Sequence, residues 1–340
     1  MTPPLSAILC QLSGWGRRLL RPFCISPSTR ALIREARATP GYGLLDFLHG
    51  YVYARWVYLY IGIGTGEHWA VRLFGFLVPL LKRLLDFRPP QSRTASAGRA
   101  ITFADTYHGK VVSPAAARQL VTIDRPIRLT GLEHVIPYQL ARDIVVHNPA
   151  HIVLLDCPCR SARPNPCLPL DVCLLIGEPF AGFVVAHHPR RARWVDAAEA
   201  LAVLKAEARR GHVHHAFFKE ALFGRFYAIC NCCACCCGAM QAMGNGVPML
   251  ASSGYVSRLE AARCVQCGLC AQRCPFGAIV WQEGACPVID AAVCMGCGVC
   301  VNRCVRKALD LVRDPAKPAP LELDRLLAEA GRAAGPPGAF

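Results

Sequence analysis

Charge is scarce in this chain, and acid is scarcer still. Of 340 residues only 18% are charged, and 23 Asp and Glu face 38 Lys and Arg. Sparse charge beside 53% hydrophobic residues excludes a disordered or solvating polypeptide. Long apolar runs are missing too. In the most hydrophobic stretch, residues 44 to 87, Arg55, Glu67, Arg72 and Lys82 interrupt and leave uncharged runs of 11 and 9 residues. A spanning helix needs roughly 18 or more apolar residues in succession, so no membrane span is expected. The stretch reads as buried core helices. The other reading is helices lying on a membrane surface, since aromatic and basic residues suit an interface. No signal peptide is expected either, because Arg17, Arg18 and Arg21 follow a short apolar stretch instead of preceding a long one. Paired carboxylates, a Ser-His-Asp set, a phosphate-binding glycine loop and a flavin or nicotinamide fingerprint are all absent. The formal charge of +15 comes without a nucleic-acid motif, so no nucleic-acid partner is expected.

Cysteine is what the chain has in excess, with 21 of them. Eight fall in one pattern written twice, 30 residues apart: Cys264, Cys267, Cys270 and Cys274, then Cys294, Cys297, Cys300 and Cys304. Both copies read C-x2-C-x2-C-x3-C. They also share the glycine after the second cysteine, the arginine before the fourth, and Ala278 with Ala308. This run is the ligand signature of a cubane iron–sulfur cluster. Three thiolates on a tight loop can wrap three iron corners, while the fourth cysteine turns away and serves the neighbouring cluster. Cys264, Cys267, Cys270 and Cys304 are therefore expected at one [4Fe-4S] centre, and Cys294, Cys297, Cys300 and Cys274 at the other. Zinc or disulfides are the rival reading, but zinc ribbons space C-x2-C pairs across a long loop.

This part resembles the bacterial two-cluster ferredoxin domain over about residues 255 to 312, with Val305 standing where the first copy has Pro275. Cluster ligation requires reduced thiols and hence a reducing compartment. Each cubane with its four thiolates adds roughly −2 to the charge balance. The surface stays basic, which suits an acidic redox partner or an anionic membrane face.

Ten further cysteines lie between residues 157 and 237. Cys157-Pro158-Cys159-Arg160 follows the expected buried strand Ile152–Leu155, and an extended backbone there would aim both sulfurs the same way. Cys167 and Cys173 follow, making four thiols within 17 residues. A helix is expected next, capped by Asp196 with Glu199 three residues on and stopped at Gly211. His212, His214 and His215 read as a solvated loop. Cys230, Cys232, Cys233, Cys235, Cys236 and Cys237 then crowd eight residues, too many for one cubane. The order of a C-x-C-R segment, a helix, and an N-C-C-x-C-C-C segment ahead of a ferredoxin pair resembles a bacterial 4Fe-4S binding protein family with extra clusters. The resemblance implies at least one more iron–sulfur cluster on Cys157, Cys159, Cys167 and Cys173, with the 230–237 run, Cys232, Cys233 and Cys236 foremost, completing it or holding a fourth. Inert buried thiols and a redox-buffering thiol patch are the plain alternatives. Cys236-Cys237-Gly238 is also similar to the CCG motif of heterodisulfide-reductase-like subunits, though the spacing to later cysteines departs from it.

The expected fold is α+β: a helical N-terminal region (1–98), a small α/β cysteine-rich domain (99–254), a βαβ-type ferredoxin module (255–312), and a short helix with a flexible tail from Gly331 (313–340). Ala141–His147 reads as helical, with a turn at His147-Asn-Pro149. The expected function is single-electron transfer in the cytoplasm or at the inner face of a membrane. An oxidoreductase acting at the upstream cluster is the first alternative, and a cluster scaffold or metal-handling protein the second.

Overall fold

The structure is a computed structural model that describes residues 25–69, 71 and 101–333. Cys10, Cys24, the rest of the apolar stretch to residue 87, the linker 89–98 and the last seven residues lie outside the described residues.

Three helices open the described chain: α1 (Pro27–Ala38), α2 (Leu44–Arg55) and α3 (Val57–Gly64). Ser26 caps α1 by accepting from the Thr29 amide at 3.1 Å, with Pro27 at the first helical position. Gly50 lets α2 close on the sheet, since a Cβ there would lie 1.9 Å from the Ala221 carbonyl oxygen. The helices are buried on one side only. Tyr53, Ala54 and Val57 enter the core, while Leu44, Leu45, Leu48, Val52, Trp56, Leu59 and Ile63 stay exposed. No described helix is long and apolar enough to cross a membrane.

The chain then continues through α4 (Phe103–Thr106), β1 (Tyr107–Val111), α5 (Pro114–Val121), β2 (Ile127–Leu129), β3 (Ile144–Asp156), α6 (Pro158–Ser161), β4 (Asp171–Glu178), α7 (Phe180–His187), β5 (Ala192–Val195), α8 (Ala197–Arg210), β6 (Val213–Lys219), β7 (Arg225–Cys232), α9 (Gly238–Gly244) and β8 (Leu250–Ala251). These strands make one eight-stranded sheet in the order β2-β3-β4-β7-β6-β1-β8, with β5 also paired to β3. Apart from the parallel β1–β8 contact, the pairings are antiparallel. The middle of the chain is thus a broad, mostly antiparallel sheet rather than a small α/β unit. β6 is buried along its whole length, as expected for a strand covered on both faces.

Two local expectations are corrected. Residues 144–156 form one continuous strand, so the helix expected over Ala141–His147 is absent. The β-branched Ile144, Val145 and Val146 pair with β2 instead. The turn signal at Asn148 is a bulge, with φ +49° and a register shift between His147 and Ile152. His214 and His215 are not in a solvated loop but buried within β6. α8 forms as read: the Asp196 carboxylate accepts from the Glu199 amide at 2.7 Å, and Gly211 closes the helix at φ +86°.

The carboxyl-terminal part adds β9 (Tyr255–Leu259), α10 (Leu269–Gln272), β10 (Ile279–Val280), β11 (Val288–Ile289), α11 (Val299–Arg303) and β12 (Leu309–Arg313). β9 pairs with β12 and β10 with β11, both antiparallel. The chain then returns to the large sheet. Ala319 donates its amide to the His134 carbonyl at 2.7 Å and accepts from the Lys110 ammonium at 2.9 Å. The last helix, α12 (Leu323–Ala333), runs past Gly331. Leu32, Tyr53, Met295, Val299, Leu321 and Leu326 join the sheet residues in one hydrophobic core.

Candidate metal centres

The two C-x2-C-x2-C-x3-C copies fold alike. In each, the glycine after the second cysteine, Gly268 or Gly298, takes a left-handed conformation at φ +71° and +76° and opens the short helix bearing the third cysteine. The matching alanines have a shared task. The Ala278 amide donates to Cys274 Sγ and the Ala308 amide to Cys304 Sγ, each at 3.3 Å, and both alanines are buried. The fourth cysteine of each copy crosses to the other. Cys264, Cys267, Cys270 and Cys304 line one cavity of about 30 Å³. Cys274, Cys294, Cys297 and Cys300 line a second of about 20 Å³.

The two cavities differ in setting. Cys267 in the first is exposed, while Cys294 and Cys300 in the second are buried. Backbone supports both, with the Gln266 amide 3.4 Å from Cys264 Sγ in the first and the Ser257 amide 3.4 Å from Cys294 Sγ in the second. Burial pushes Cys297 up to about 12 and Cys300 to about 11. Thiols this reluctant to ionise lose their protons on taking up a metal, not before.

Upstream, the strands converge on a third, larger cavity of about 80 Å³. Cys157 follows the end of β3, Cys159 sits in α6, Cys173 is on β4, Cys230 and Cys232 are on β7, and Cys237 caps α9. All six line the cavity. Each thiol acts on the ionisation of the next along a chain: Cys230 on Cys173, then Cys157, Cys159, Cys237 and Cys232. The Cys159 thiol and burial push Cys157 up to about 12. The extended backbone expected for Cys157-Pro-Cys159 holds only at Cys157, since Cys159 lies within the helical turn.

The grouping expected from the sequence is redrawn here. Cys167 does not join Cys157, Cys159 and Cys173. It meets Cys233, Cys235 and Cys236 in a separate quartet nearer the surface, although Cys233 also borders the cavity. The crowded 230–237 run is divided between the two sites. Within that run the sequence alone does not single out Cys230, Cys235 and Cys237 as ligands. The usable signal is alternation, because Cys230 and Cys232 share a face of one strand, while the turn after β7 carries Cys235 and Cys236 away from the cavity.

Charge at the large cavity comes from Arg160, a lining residue that is 1% exposed. Its guanidinium donates to Glu207 Oε2 at 2.8 Å, the Asn231 carbonyl at 3.0 Å and the Pro169 carbonyl at 2.5 Å. Burial alone would raise Glu207, but His212 and Arg160 hold its carboxyl below the usual range. Tyr53 and Tyr227 line another part, their hydroxyls 2.8 Å apart. The Lys219 ammonium stands 4.6 Å from the rings of both Tyr53 and Tyr107. Directly across the ladder from Cys230 lies His215, fully buried, with neither ring nitrogen hydrogen-bonded and a pKa pushed by burial to about 3. A thiolate-bound anionic group fits this donor set, with one fixed buried cation beside it.

Comparison with curated proteins and with solved structures gave no match. Comparison with protein-family models matched residues 259–280 to Fer4, the 4Fe-4S binding domain. The match covers the first of the two cysteine copies, and the chain therefore carries a 4Fe-4S binding domain in that segment.

Proposed function

We propose that this protein transfers single electrons through two ferredoxin-type [4Fe-4S] centres, one on Cys264, Cys267, Cys270 and Cys304 and the other on Cys274, Cys294, Cys297 and Cys300, in series with an upstream polynuclear iron–sulfur centre. The observation that carries the reading is the crosswise exchange of the fourth cysteines between two four-thiol cavities. Bound clusters would supply one-electron redox steps. The chain's own residues would fix the sulfurs, donate backbone N–H groups to them and exclude water from the inner cavity.

The exposure of Cys267 favours the first cavity as the face that meets a redox partner. Arg263, Arg273, Arg306 and Lys307 are exposed in the same module and suit an acidic partner surface. The exposed apolar side of α2 and α3 supports peripheral contact with a membrane face. Iron and acid-labile sulfide in anaerobically reconstituted full-length protein test the proposal. Three centres predict about 12 or more iron atoms per chain, and EPR of the reduced protein should show interacting spins. Saturation at about eight iron atoms would remove the upstream centre.

A second reading, an oxidoreductase acting at the upstream centre, is favoured by the size of that cavity and by Tyr53 and Tyr227 in its wall. It requires a spectral change in the reduced holo-protein on adding an exogenous thiol or cyanide. Indifference to both would reject it.

A further inference from the structure

We propose that Cys167, Cys233, Cys235 and Cys236 form a separate site for a single tetrahedral thiophilic metal ion of the zinc class, distinct from any polynuclear centre. Their four sulfurs all lie within 4.8 Å of one another. Cys167 Sγ is 2.9 Å from Cys235 Sγ, which is 3.6 Å from Cys236 Sγ. A Zn–S bond of about 2.3 Å places tetrahedral sulfurs about 3.8 Å apart, so this cluster has the dimensions of one ion. A four-iron cube binds each thiolate on a different corner and holds the sulfurs farther apart. The molecule supplies its own control: among the described residues no other group of three Cys, His, Asp or Glu ligand atoms is gathered tightly enough to hold one ion. The two ferredoxin-type quartets, four thiols around each cavity, are not.

The local chain is built for this. Cys233 and Cys236 have the C-x2-C spacing of structural zinc sites, on a turn closed by the Cys236 and Cys237 amides donating to the Cys233 carbonyl at 3.4 and 3.1 Å. The Cys167 amide donates to Cys236 Sγ at 3.5 Å. Arg163 anchors the turn from outside, donating to the Cys236 carbonyl at 3.4 Å and also to Gln241 and Glu67. The Gln241 side chain in turn donates through Nε2 to the Cys235 carbonyl at 2.9 Å. Loading the ion releases one proton from each thiol and leaves a dianionic centre, beside which the Arg163 guanidinium stands. With all four positions taken by sulfur, the site is closed and structural in kind. It clips the Cys167 loop to the turn after β7, the two stretches that lead into Cys159, Cys173, Cys232 and Cys237.

Metal analysis of full-length protein purified anaerobically tests this independently of the electron-transfer reading. Wild type should carry about one zinc ion, or one iron ion without matching sulfide, beyond its cluster content. Cys235→Ser and Cys167→Ser should each lower that single ion roughly tenfold while leaving cluster iron and sulfide unchanged. Cys173→Ser should do the reverse. Should the serine variants fail to fold, cobalt(II) exchanged into intact wild type should give the visible bands of tetrahedral cobalt thiolate, at about one per chain. The proposal is overturned if Cys235→Ser removes about four iron atoms with their sulfide, if wild type takes up no such cobalt, or if alkylation and intact mass reveal a Cys167–Cys235 disulfide.

Discussion

The ferredoxin module and the large sheet both gather thiols, but from opposite starting points. In the module the ligands come from two short sequence copies, and beyond Met295 and Val299, which pack into the core of the sheet, few buried apolar residues hold the fold together. The buried members of its own small core are Ile279, Cys300 and Leu309, so a ligand sulfur is itself a core residue. In the sheet, six thiols from β3, β4, β7 and their flanking turns line a cavity inside a core that would exist without them. Metal is expected to make the first structure and to occupy the second.

The largest effect that could break this contrast is metal removal. Anaerobic chelation should erase amide-exchange protection across residues 255–312 while β4, β6 and β7 keep theirs, because binding energy is folding energy only where no other core exists. Equal loss in both regions would show that the sheet depends on its metal as well. Single ligands should repeat the pattern. Cys300→Ser should cost about four iron atoms and the module's thermal transition, whereas Cys173→Ser should cost about four or more with the sheet still folded. Iron analysis with circular dichroism reads both.

A finer test uses the pseudo-symmetry of the module. Gly296 and Gln266 occupy matching positions at φ +63° and +57°. A Cβ on Gly296 would lie 2.2 Å from the Tyr255 carbonyl oxygen, so Gly296→Ala should destabilise by about 3 kcal/mol or more. Gln266→Gly should stay within about 1 kcal/mol of wild type. Similar losses from both would mean that the two copies are equally crowded against the rest of the protein.

These comparisons also explain what could be read in advance. The pairing of sulfurs in the module is written in local spacing, and even the coincidence of Ala278 and Ala308 reports a shared amide-to-sulfur bond. The partition upstream depends on which strands neighbour one another. β4 lies between β3 and β7, which brings Cys157, Cys173 and Cys230 together across long stretches of sequence. Spacing carries no trace of that. It also misled at Ala141–His147, where pairing with β2 outweighed local preference, and at His214 and His215, whose polarity concealed a buried strand.

The smallest expected effect is one of pH, and it concerns the sheet alone. Burial pushes the Lys219 ammonium down from its usual value to about 8. Its folded pKa is thus below its unfolded one, so the cost of burying the charge is fully present below pH 8 and fades as pH rises through about 8 to 10.5. Across that window the melting temperature of wild type should rise relative to Lys219→Met, by the equivalent of about 3 kcal/mol at most. The faces of Tyr53 and Tyr107 recover part of the cost, and a flat difference would indicate that they recover all of it.

The return of the chain after β12 bears on how any such circuit would operate. Because Ala319 is bonded to both His134 and Lys110, and α12 is packed back onto the sheet, the module is moored at both of its ends. It is a fixed terminal rather than a swinging arm. Spacing between donor and acceptor would then be a constant of the architecture, and turnover would be governed by how often an outside carrier lands.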